Sequence, residues 1–119
     1  MNSSHDSHCQ PELLLEGVGG DHGIFLQLAE IFNRKSAVIF KQMQAAAAVS
    51  DFAQLGRQSH SLKGTVGPYG ADKLMEMLIQ IEEECDTRQC VCDEKSLATI
   101  EQELNQVRVE LQQFIDRLP

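Results

Sequence analysis

The sequence predicts an all-α protein, an antiparallel up-down four-helix bundle with a short N-terminal lead-in helix, and three observations carry that reading. First, the composition is 42% hydrophobic with only 5% aromatic and no Trp, and Leu, Ala, Glu and Gln dominate, which favours helices over strands. Second, apolar residues recur at steps of three and four along every long segment, the period of one helix face. Third, the Gly, Pro, Ser and Asp punctuation between these segments is brief, and short connections make consecutive helices antiparallel neighbours. With 119 residues the chain is one domain, large enough for a hydrophobic core without disulfides or metal. Residues 1–10 are expected to be a flexible N-terminal segment, and residues 11–119 the bundle.

The lead-in helix spans 11–17: Pro11 suits a first helical position, Leu13, Leu14 and Leu15 follow, and Gly17 with Gly19-Gly20 stops it. Asp21 is a typical N-cap for a helix from about 22 to about 48, with Phe25, Leu28, Phe32, Ile39 and Met43 on an a/d stripe that skips only Ser36. Ala45 to Ala48 sustain its last turn. Asp51 caps a third helix in which Phe52, Leu55, Ser59, Leu62 and Val66 repeat at three- and four-residue steps. Pro68 lacks a backbone donor and clashes with the carbonyl four residues earlier, so this helix should kink or end near Val66, with Gly70 closing the turn. The fourth helix turns Leu74, Leu78, Ile81 and Cys85 inward and gives way to the polar, cysteine-rich stretch 86–92. The last, from about Asp93 to Leu118, carries Leu97, Ile100, Leu104, Val107, Leu111, Phe114 and Leu118 as an unbroken seam of the kind that packs in bundles.

Charge and composition exclude several functions. Eighteen acidic against ten basic residues give a net charge of -8 and no Lys/Arg cluster, which argues against nucleic-acid binding. No apolar run approaches the roughly 20 residues of a membrane helix, and the polar start lacks the regions of a signal peptide, so a cytoplasmic protein is expected. Cys9, Cys85, Cys90 and Cys92 are then reduced thiols. They contain no Cys-x-x-Cys pair, and with His5 and His8 they match no standard zinc spacing, so no metal site is expected.

Chemistry concentrates in the third helix. His60, Lys63 and Gly64 stand at i, i+3 and i+4, so a nucleophile, a cation and a bare backbone position share one face. Along the stripe Ala53, Gly56, His60, Gly64 and Gly67 there is almost no side-chain bulk around the histidine, although each interior Gly costs a helix roughly 1 kcal/mol relative to Ala. Close helix packing would also want small residues. It would, however, bury His60 together with the Lys63 ammonium, which is unfavourable, so an exposed ring in a clearing at Gly56, Gly64 and Gly67 that admits a partner is the better reading. An exposed imidazole is substantially neutral at cellular pH and attacks phosphorus without a dedicated strong base, while the nearby ammonium neutralises phosphate charge. The pattern therefore suits a phosphoryl-accepting histidine. His5, His8 and His22 read as incidental, the Leu and Phe stripes as core, and Glu82-Glu83-Glu84 as a solvated helix face.

The run His60-Ser61-Leu62-Lys63-Gly64, followed by Gly70-Ala71 and Leu74 within a bundle helix pair, resembles the signature of histidine phosphotransfer domains of multistep two-component relays. The specific match covers about residues 56–82 and departs from the usual pattern at Gly67-Pro68-Tyr69. The resemblance implies that His60 receives a phosphoryl group from a receiver-domain aspartate and passes it to another receiver, that Lys63 lies beside the phosphate and that Gly64 leaves room for the receiver. It implies a Glu or Gln on the following helix that orients the histidine, with Glu82 first and Gln80 second. It further implies receiver domains of a hybrid sensor kinase or response regulator as partners, Mg²⁺ carried by the receiver, no cofactor and no ATP site in this chain, and a monomer. A non-catalytic bundle that binds a receiver or partner helix without phosphorylation is the alternative, but docking needs neither His60 nor Lys63. A sensor-kinase phosphoacceptor region usually has an acidic residue after its histidine, where this chain has Ser61.

Overall fold

The computed structural model describes residues 7–87 and 92–119, and five α-helices with no strand make up their regular structure. Cys90, and His5 among the N-terminal residues, lie outside the described residues. Helix α1 is Pro11–Gly17, α2 His22–Ala48, α3 Phe52–Val66, α4 Asp72–Asp86 and α5 Glu94–Asp116. The caps fall on aspartates: Asp21, Asp51 and Asp93 accept hydrogen bonds from the backbone N–H groups of Ile24, Gln54 and Ser96 at 3.0, 3.1 and 2.9 Å, satisfying donors that a helix start leaves orphaned.

Helix α3 lies between α2 and α4, α5 packs on both α2 and α4, and α1 rests on the corner between α3 and α4 while touching α2. The core they enclose includes Phe25, Phe32, Met43, Leu55, Leu62, Leu74, Leu78, Leu104 and Leu111, all essentially inaccessible. On α2 the buried row runs through Phe25, Ala29, Phe32, Ser36, Ile39, Phe40 and Met43. Leu28, expected in the stripe, is only half-buried at its edge, because Ala29 takes the inward position. Ser36 fills its stripe position as a buried hydroxyl that accepts a 2.8 Å hydrogen bond from the Arg108 guanidinium of α5.

The α3–α4 corner follows from Pro68. The Gly67 N–H still bonds the carbonyl of Lys63, but the next residue has no donor, so the α-helical ladder stops and Gly67–Tyr69 form a single 3-10 turn. Gly70 then takes the left-handed conformation (φ 63°) that an L side chain adopts at a cost, and its position lies against Leu13 and Gln10. Tyr69 is buried with its ring 4.7 Å from that of Phe32.

From His8 onward the N-terminal residues make hydrogen bonds to α5 and to the α3–α4 corner. The backbone N–H groups of His8 and Cys9 donate to the Glu110 carboxylate at 2.7 and 3.0 Å, the His8 ring meets Glu103 at 2.7 Å, and the Gln10 N–H donates to the Tyr69 carbonyl at 2.7 Å. His8, read from sequence as incidental, is therefore a structural tie. Cys9 is buried, and burial, reinforced by the neighbouring Glu110, pushes its thiol up to about 12. Long-range hydrogen bonds of this kind have no signature in local periodicity.

Candidate functional site

Helix α3 exposes His60 because the residue before it is turned inward. Ser59 is fully buried on the core stripe, its hydroxyl returned to the Leu55 carbonyl at 2.8 Å, and a step of about 100° along the helix carries the next side chain to the surface. The His60 side chain is 70% exposed. Lys63, one turn on, is only 24% exposed and leans across to α4.

A single carboxylate gathers both groups. Glu82 places Oε2 at 2.8 Å from His60 Nδ1 and Oε1 at 2.6 Å from Lys63 Nζ. The Lys63 ammonium first, and the His60 hydrogen bond after it, hold the Glu82 carboxyl below its ordinary range against the opposing effect of burial. An ionised carboxylate only accepts, so the proton of this hydrogen bond resides on Nδ1 and the lone pair of the neutral ring is on Nε2. Glu82 is thus not simply part of a solvated acidic face. Gln80, the other candidate for orienting the histidine, instead donates to Glu84 on its own helix at 3.2 Å.

The small residues around His60 separate into two kinds. A Cβ on Gly64 would meet nothing within 4 Å, so Gly64 is an open position beside the ring. Gly56 is buried, and a Cβ there would stand 3.1 Å from Cys85 Cβ, so its smallness serves the approach of α3 to α4, at the floor of the groove that also holds His60. Gly67 is exposed, with Met75 Cε 3.5 Å from where its Cβ would be, which is ordinary contact. Of the three expected positions, Gly64 and Gly67 are exposed, whereas Gly56 is buried at the α3–α4 contact, the close helix packing that sequence reasoning had set aside.

Two grooves flank the histidine. One, of about 670 Å³, runs between α2 and α3 past Gly64, with Ile31, Phe32, Ile39, Pro68 and Tyr69 among its lining. The other, of about 580 Å³, lies between α3 and α4, and Arg57, His60, Glu82, Cys85 and Asp86 line it. Sequence reasoning missed the α2 wall of the first groove. The signal was present in Leu28 and Ile31, apolar residues of α2 that the core leaves partly or largely exposed and that line this groove. No helix among the described residues is long and apolar enough to cross a membrane.

The Hpt domain family matches this chain over residues 27–117, a span that contains His60, Lys63, Gly64 and Glu82. Among solved structures, the crystal structure of histidine-containing phosphotransfer protein B (HptB) from Pseudomonas aeruginosa PAO1 is similar, with 21% sequence identity and a TM-score of 0.83 over 94% of this chain and 97% of that one. At that identity the likeness is one of fold. No curated protein matches the sequence.

Proposed function

This chain belongs to the Hpt domain family, whose role is histidine phosphotransfer in two-component phosphorelays, and on that footing we propose that His60 is its phosphoacceptor. Members of this family are phosphocarriers that exchange the group with receiver domains and are not ATP-using enzymes. The observation that carries the assignment is the Glu82 contact on Nδ1 of a ring that is otherwise 70% exposed. It leaves Nε2 as the nucleophilic nitrogen and fixes the ring plane, so that the attack geometry is set before a partner arrives.

In the reading we favour, Nε2 attacks the phosphorus of a receiver's aspartyl phosphate, the P–O bond to the aspartate breaks, and the carboxylate leaves. Lys63 supplies positive charge at the rim of the site, and Gly64, with nothing projecting from it, lets the receiver surface come close. The apolar groove beside Gly64 offers the receiver a seat on this side of the histidine. A Mg²⁺ held by the receiver would supply charge stabilisation, and the chain itself is assigned no cofactor and no ATP site. The four long helices are read as an up-down antiparallel bundle with α1 as its lead-in, and the protein as a cytoplasmic monomer serving the receiver of a hybrid sensor kinase, a response regulator or both.

A phosphorylated receiver domain is expected to label the protein with an acid-labile, alkali-stable phosphate, and His60→Gln to abolish the label. Retained labelling in that variant would overturn the assignment. A bundle that only docks a receiver without phosphorylation is not favoured, since docking calls for neither an exposed imidazole nor a carboxylate aligned on its Nδ1.

A further inference from the structure

His60 stands on α3 between two helices of opposite charge. Helix α2 carries Arg34, Lys35 and Lys41 against a single acidic residue, Glu30, in a chain whose net charge is -8. Helix α4 carries Asp72, Glu76, Glu82, Glu83, Glu84 and Asp86 against a single basic residue, Lys73. Resting on the phosphoacceptor reading above, we propose that this polarity selects the receiver. His60 exchanges phosphate with receiver domains whose contact surface is acidic where it meets α2 and basic where it meets α4, and Lys35 and Asp86 are the specificity-determining side chains.

Lys35 is placed for this role by the groove it lines. Ile31, Phe32, Ile39 and Tyr69 give that groove apolar walls beside Gly64, and among the described residues Lys35 is the one charged side chain lining it. It stands one turn after the exposed Ile31, so an apolar contact and a cation share a face of α2. Arg34, Lys35 and Lys41 are all exposed, and among the described residues none of them is engaged in an ion pair. Their charge is directed outward, at whatever docks. On the other side of the histidine, Glu82 and Asp86 are the acidic residues lining the groove between α3 and α4. Glu82 is occupied by Lys63 and His60, so the exposed Asp86, one turn further on, is the carboxylate this groove presents. Arg57, across the same groove, donates instead to Gln54 at 2.8 Å.

An exposed ion pair adds little to affinity, so the selection works through steering and rejection. A receiver of the wrong polarity brings like charges together on both sides of His60 at once. A second copy of this chain is a poorer occupant, because two molecules of charge -8 repel each other.

The test uses the whole protein and a panel of purified, phosphorylated receiver domains whose surfaces around the phosphorylated aspartate differ in charge. Transfer to the protein is measured as kcat/KM at about 20 mM and about 500 mM salt, because screening separates exposed charges from apolar contacts. Each variant is normalised to its own labelling by phosphoramidate, a small donor that needs no docking surface. At the lower salt, Lys35→Glu should slow transfer from the receivers that wild type prefers on the order of tenfold, and speed transfer from receivers with basic surfaces opposite α2. Asp86→Lys should shift the ranking towards receivers that are acidic opposite α4. Both effects should shrink at the higher salt. Lys35→Met, which keeps the apolar stem and loses the charge, should fall between wild type and Lys35→Glu. An unchanged ranking, or a loss by the same factor for every receiver, would overturn the proposal. So would self-association, read by light scattering, that Lys35→Glu abolishes, since the α2 charge would then serve a second copy. Phosphate persisting in His60→Gln would instead overturn the acceptor assignment itself.

Discussion

Gly56 and Gly64 occupy one helix about two turns apart, and a methyl group distinguishes them. Gly64→Ala meets nothing within 4 Å and exchanges the least favourable ordinary helix residue for the best, so thermal or urea melts should show a gain of about 1 kcal/mol. Gly56→Ala forces its new carbon to 3.1 Å from Cys85 Cβ, and the strain of overpacking, about 1–3 kcal/mol, should erase that gain or reverse it. Equal melting temperatures for the two variants would mean that α3 and α4 are not in close contact there. Replacing Gly64 with Phe tests its other role: receiver affinity should fall at least about tenfold, some 1.4 kcal/mol, and unchanged affinity would remove the steric argument. Cys9 gives a further check at this scale. With its thiol raised to about 12 and its side chain buried, it should resist Ellman's reagent at pH 8 in the native protein and react on denaturation, whereas the half-buried Cys92 is the more accessible.

Helices α3 and α4 are joined by three features: the Gly56–Cys85 contact, the Gly67–Tyr69 turn, and the Glu82 carboxylate held by Lys63 and His60. The last of these depends on pH. The folded-state carboxyl titrates below its ordinary 4.5, so its contribution to stability is fully present above that value and is lost as pH falls through the lowered one. Melts of wild type and Glu82→Gln should therefore differ at pH 6 and converge only as pH falls below the ordinary carboxylate range, through the lowered folded-state value. A difference that stays constant across this range would show that the pair contributes nothing to joining the helices. At the corner itself, Gly70→Ala combines a positive φ with a Cβ only 2.8 Å from Leu13 Cδ1, and a loss of about 1–3 kcal/mol is expected, from left-handed strain and from displacing α1.

Across the whole molecule, α5 and the N-terminal segment hold the helices together with polar contacts set inside an otherwise apolar interior. The Arg108 guanidinium, kept below its ordinary range by burial, donates to the buried Ser36 hydroxyl between α5 and α2. Glu103, 4% exposed, takes the His8 ring and lies 3.7 Å from the Lys73 ammonium. Removing one partner of such a contact strands the other, so Ser36→Ala should cost about 1–3 kcal/mol in a urea melt although it deletes a single oxygen. Replacing Ser36 and Arg108 together by apolar residues should cost less than the sum of the two single changes. The ties at His8, Cys9 and Gln10 also reach the corner that lines the groove beside Gly64, through the Tyr69 carbonyl. The groove beside Gly64 is thereby braced by residues far from it in the chain.

The helices, the aspartate caps at Asp21 and Asp51, the break at Pro68 and the candidacy of His60 with Lys63 were readable from residue order, because each rests on interactions within about four positions along the chain. Reading α2 from about 22 to about 48 matched the observed His22–Ala48, and the inward residues Leu74, Leu78, Ile81 and Cys85 of α4 are all buried. Local spacing alone could not separate Glu82 from Gln80, tell that Gly56 is covered while Gly64 is open, or bring His8 onto Glu103. Those outcomes depend on the rotation and register of one helix against another. That register is set by how closely two backbones approach, and the approach of α3 to α4 at Gly56 and Cys85 is what lets one carboxylate reach both the ring and the ammonium.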